Sequence, residues 1–136
     1  MKHNVMLSVA SLLSILFMTL HHADDIARGM ASGGIVNLVV VLILLVWLYA
    51  TLMLAERRSG YVITLLASLF ASGMPIVHMS GAGLAGGKIA DSGGAFFFVW
   101  TLIALGVTAL FSVVLAARGL WSLQRRKSRQ SNDPNS

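Results

Sequence analysis

Four long stretches without a charged residue dominate this chain: Asn4 to Leu20, Gly29 to Ala55, Ser59 to Gly87 and Ser92 to Ala117. A helix crosses the hydrocarbon core of a bilayer with about 20 predominantly apolar residues. The last three stretches are long enough outright, and the first is long enough if its helix continues through His21 and His22. The pattern predicts an all-α integral membrane protein with transmembrane helices over about 4–26, 34–55, 60–80 and 94–118. They would form one antiparallel four-helix bundle spanning residues 1–120, followed by a basic, disordered cytoplasmic tail over 121–136. Charged residues make up 11% of the chain, against about 25% in a soluble domain.

The positions of those few charges set the expected orientation. With the N-terminus inside, Lys2, Arg57, Arg58, Arg118, Arg125, Arg126, Lys127 and Arg129 share the inner side, leaving only Arg28 and Lys88 outside. Cytoplasmic loops carry this excess of Lys and Arg. Both termini are therefore expected in the cytoplasm of a cell with an inner membrane, and Asp24, Asp25 and Asp91 fall outside. The net charge of +5 reflects the tail beside anionic lipid, so no nucleic-acid partner is expected. The absence of cysteine removes thiolate metal sites, disulfides and thiol redox chemistry. A competing reading makes Lys2 to Leu20 a signal peptide. The charged residues after His21-His22-Ala23 make a poor cleavage site, and the uncleaved first helix is preferred.

Helices in lipid associate through small residues and occasional hydrogen bonds. At 100° per residue, Ser8, Ser11, Thr19, His22 and Asp25 share one side of the first span, with His21 pointing away. The third span gathers Thr64, Ala67, Ser68, Ala71, Pro75 and His78 on one face. The fourth does the same with Thr101, Ala104, Thr108 and Ser112. The second is Val and Leu almost all round and is expected to face lipid. By helical rise, His22 and His78 both lie roughly 26 Å from the inner boundary.

His21-His22-Ala23-Asp24-Asp25 is the densest set of metal or proton ligands in the sequence. The expected metal set is His22, His78 and Asp25, with His21, Asp24 and Asp91 as supporting partners. Imidazole with carboxylate suits zinc, iron, copper or nickel. A haem held by His22 and His78 is a further possibility. The bland alternative makes the histidines interfacial hydrogen bonders and Asp24–Arg28 an ordinary four-apart ion pair. No acidic or basic residue lies mid-span, which weakens an ion-pathway reading. Gly81-Ala82-Gly83-Leu84-Ala85-Gly86 fits the G-x-G-x-x-G pattern but lacks the strand-to-helix context that gives it meaning.

In size and span count the chain resembles small multidrug exporters and DoxX-like proteins, and its basic tail resembles that of phage holins. The first resemblance implies an embedded acid in the first helix, and Val5 to Leu20 contains none. The leading expectation is a non-enzymatic accessory or scaffold protein, packing with itself or a larger membrane complex. The alternatives are a metal- or haem-binding membrane protein and an oligomeric small-solute transporter or pore.

Overall fold

The computed structural model describes residues 2–31, 33–79 and 93–131. They form four helices: α1 (Lys2–Ala27), α2 (Gly34–Met53), α3 (Arg58–Met79) and α4 (Ala95–Ser131). Each contains a segment long and apolar enough to cross a membrane: His3–Ala27, Gly34–Met53, Arg58–His78 and Ala95–Ser128. The Gly81 to Gly86 stretch, Asp91 and the last residues of the tail lie outside the described residues.

Three of the helices bury seams that repeat about every 3.5 residues, the spacing of a left-handed helical bundle. On α1 the seam reads Leu7, Ser11, Ser14, Met18 and His21, and Asp25 continues it at the partly buried end. On α3 it reads Tyr61, Thr64, Ser68 and Ala71, then Pro75 and His78. On α4 it reads Phe98, Leu102, Leu105, Ala109, Ser112 and Ala116, ending at Gly119. Small residues bring the backbones close. A Cβ built on Gly106 would come within 2.9 Å of Pro75 Cγ, and one on Gly119 would collide with the Tyr61 ring.

α4 packs along both α1 and α3, whereas the α2 backbone runs beside α1 and α3 and not beside α4 among the described residues. At one end of the bundle Leu7 and Ala10 cluster with Tyr61, Leu115 and Ala116. In the middle, Ile15 and Met18 meet Trp47, Ala71, Leu105 and Ala109. α2 buries only Trp47, Ala50 and Thr51, and exposes a long Val, Leu and Ile surface. One polar bond attaches it to α1: Ser11 Oγ and Thr51 Oγ1 lie 2.7 Å apart. Thr51 and Thr101 also donate to carbonyls of their own helices. Such internal bonds let hydroxyls sit in an apolar bundle at little cost.

The α2–α3 link is tight. Glu56 adopts φ 67, a left-handed conformation that an L residue holds only under external restraint. Asn4 Nδ2 supplies one, donating to Glu56 Oε1 at 2.6 Å. α4 continues to Ser131, well past the charge-free run that ends at Ala117, in contrast to the disordered tail expected from residue 121. Its extension is rich in Leu, Gln, Arg and Lys, all good helix formers. Arg125 also lies over the Trp121 ring at 4.4 Å, and cations suit the C-terminal end of a helix.

Candidate metal centre

At the end of the bundle away from Asn4, the last turns of α1 and α3 meet over the first turn of α4. His21, Asp25 and His78 each offer one ligand atom here, and the three atoms lie within 4.8 Å of one another. His21 Nε2 is 3.5 Å from Asp25 Oδ2, and His78 Nε2 is 3.9 Å from the same oxygen. Four-residue spacing on α1 places His21 and Asp25 one turn apart on one face. The His21 and His78 ring centroids are 4.7 Å apart.

Phe98 forms the floor. Its ring is fully buried, stacks against His78 at 5.5 Å and 4°, and meets His21 at 5.4 Å and 58°. Arg28 closes one side, with its guanidinium carbon 5.8 Å from the Phe98 centroid. Its Nε donates to Asp24 Oδ2 at 2.6 Å, and its Nη2 donates to Gly94 O at 3.2 Å. Arg28 therefore ties the end of α1 to the start of α4, and Asp24 is occupied by that ion pair. The four-apart pairing of Asp24 with Arg28 is present as the sequence suggested.

The positions of the expected ligands differ from the sequence reading in one respect. Asp25 and His78 come together, but the imidazole that joins them is His21. His22 is partly buried and stands outside the group. The physical reason is seam phase. The expected stripe was centred on Ser8, Thr19 and His22, whereas the buried line runs through Leu7, Ser14 and His21. The offset is about 110° at the helical pitch, roughly one residue of rotation. Polar residues were a poor guide because Thr19 satisfies its hydroxyl on Ile15 O, 2.7 Å away, and remains largely outside. Phe98 was missed altogether. The 3.5-residue spacing of Phe98, Leu102, Leu105 and Ala109 was the available signal.

Three polar atoms in the group need a partner. One is His78 Nε2, which faces Asp25 Oδ2; the others, His21 Nδ1 and Asp25 Oδ1, are the second nitrogen and second oxygen of their groups, and all three are buried without a hydrogen bond within the protein. Leaving a buried polar atom unpaired costs about 1–3 kcal/mol, so the arrangement favours a ligand from outside the chain. Zinc binds His nitrogen at about 2.0–2.1 Å and carboxylate oxygen at similar length, which sets tetrahedral ligands roughly 3.3 Å apart. The two separations to Asp25 Oδ2, 3.5 and 3.9 Å, are close to that span, and with all three atoms within 4.8 Å of one another the rings would draw in to close on one ion. Two imidazoles and one carboxylate would leave a further coordination position open. A haem is less well matched, because its two axial imidazoles must sit on opposite faces of a porphyrin plane. Here both rings lean on one phenyl ring. The chain matches no protein-family model, and no curated protein or solved structure is significantly similar to it.

Proposed function

We propose that this is a multi-pass integral membrane protein that binds a divalent transition-metal ion through His21, Asp25 and His78. The observation that carries the reading is the convergence of three metal-ligating atoms, from two helices, within 4.8 Å. Their buried, unbonded polar atoms support it. The Lys and Arg distribution favours cytoplasmic termini in an inner membrane, which puts the centre at the outer boundary, open to metal arriving from outside. Metal capture or sensing on that side is the role this placement suits, and a purely structural accessory role becomes the second choice. An ion pathway is disfavoured, because no charged side chain lies in mid-span.

The test is direct. Full-length protein purified in mild detergent is titrated with Zn²⁺, Co²⁺ and Ni²⁺, and bound metal is measured by mass spectrometry. About one equivalent per chain is expected for at least one of these ions. His21→Ala and His78→Ala should each weaken binding more than tenfold, whereas His22→Ala should leave it within twofold. No binding by any of the three ions would overturn the proposal. Equal losses in all three histidine variants would overturn the assignment of His21.

A further inference from the structure

At the opposite end of the bundle, about 26 Å along α1 from His21 by helical rise, a second polar site is built from three helices and a turn. A cavity of about 390 Å³ is lined by His3 and Asn4 of α1, Glu56 of the α2–α3 turn, Tyr61 of α3, and Arg118, Ser122, Leu123 and Arg126 of α4. Its polar side chains are not equally engaged. Tyr61 Oη donates to Asn4 Oδ1 at 2.7 Å, and Asn4 donates in turn to Glu56. Asn4 thus holds one oxygen, Oε1, of the carboxylate that lines the cavity. Among the described residues, no carboxylate lies within ion-pair distance of Arg118 or Arg126. His3 Nε2 is buried and unbonded.

We infer that this cavity is a phosphate-recognition site in which Arg118 and Arg126 hold the anion, with the unbonded His3 Nε2 as a further contact. Two guanidiniums are the side chains best suited to a tetrahedral oxyanion, because each presents a planar fork of donors. Against the one carboxylate of Glu56 the cavity sets two guanidiniums, so its lining is net positive. The apolar wall from Leu123 and the position at the end of the spans suit the phosphate of an anionic phospholipid, as in basic pockets between membrane helices. A free phosphate or phosphate ester shares that chemistry. The inference does not depend on the metal centre at the other end of the bundle.

Native mass spectrometry of the full-length protein released from bilayers of phosphatidylglycerol and phosphatidylethanolamine tests it. A parallel arm titrates inorganic phosphate into detergent-solubilised protein and follows thermal unfolding. Retention of phosphatidylglycerol over phosphatidylethanolamine is expected if the source is lipid. Stabilisation by inorganic phosphate without lipid selectivity would identify a soluble source. In either arm Arg118→Gln and Arg126→Gln should each weaken binding about fivefold, and Arg126→Lys should restore part of the loss. The control is Arg125→Gln, which removes the same charge from the same helix turn but leaves the cavity intact. Arg125 stacks on Trp121 instead. Equal weakening by Arg125→Gln, or no binding in either arm, would overturn the site.

Discussion

The choice between His21 and His22 rests on where each imidazole meets other side chains. His21 lies against His78, Phe98 and Asp25 at once, and is almost fully buried. Asp25 matters as much as the rings, because among the described residues it is the carboxylate that both histidines approach. Asp25→Asn keeps the volume and removes the negative charge. It should lower metal affinity more than tenfold while leaving the helix content unchanged by circular dichroism. Binding should also depend on pH in a fixed direction. Metal requires neutral imidazole, because a protonated ring nitrogen has no lone pair for the ion. Affinity should therefore fall as pH is lowered from 7.5 to 5.5, with protons taken up as metal leaves. Isothermal titration in buffers of different ionisation enthalpy would count them. Affinity independent of pH across that range would argue for carboxylates alone as the ligands.

Helix seams govern the next scale. Gly119 sits where α4 crosses Tyr61, and any side chain there meets the ring. Gly119→Ala should destabilise the α3–α4 contact by about 1–3 kcal/mol, the usual cost of overpacking. Gly73 on α3 has open space around its Cα, so Gly73→Ala should be neutral or mildly stabilising through helix propensity. Thermal unfolding in detergent compares the two, and equal effects would mean that the close approach is unimportant. The existence and order of these helices were plain in the sequence, because charge-free runs of such length permit little else. Small-residue faces on the third and fourth spans were also legible through Thr64, Ser68, Ala71, Thr101 and Ser112. The phase of α1 was not. Its buried face mixes Leu7 and Met18 with Ser11 and Ser14, so no single residue class marks it. The helical extension of α4 was hidden for a different reason: its charges signal solvent, and solvent does not preclude a helix.

On the scale of the whole molecule, α4 is the common partner of α1 and α3, and α2 is attached at the side. Both polar sites use this arrangement, one at each end of the α1, α3 and α4 group. The cavity end involves Asn4, Tyr61 and Arg118, and the metal end involves His21, His78 and Phe98. The charge distribution predicts that they face opposite sides of the bilayer. Because the chain contains no cysteine, single replacements at Ala23 and Ser128 give unambiguous labels. A membrane-impermeant maleimide added to intact spheroplasts should modify position 23. It should reach position 128 only after the membrane is broken. Labelling of both from the same side would refute the topology.

The seam of α1 also works as a reading frame. His21 and Asp25 reach the interior because both are in frame with Leu7, Ser11, Ser14 and Met18, while His22 is one letter out of step. Deleting a single residue between Met18 and His21 would shift the frame. His22 would then arrive where His21 now stands, but Ile26 would arrive in place of Asp25. The imidazole pair would be restored and the carboxylate lost. Two adjacent histidines are thus not interchangeable spares: only one of them is read together with an acid.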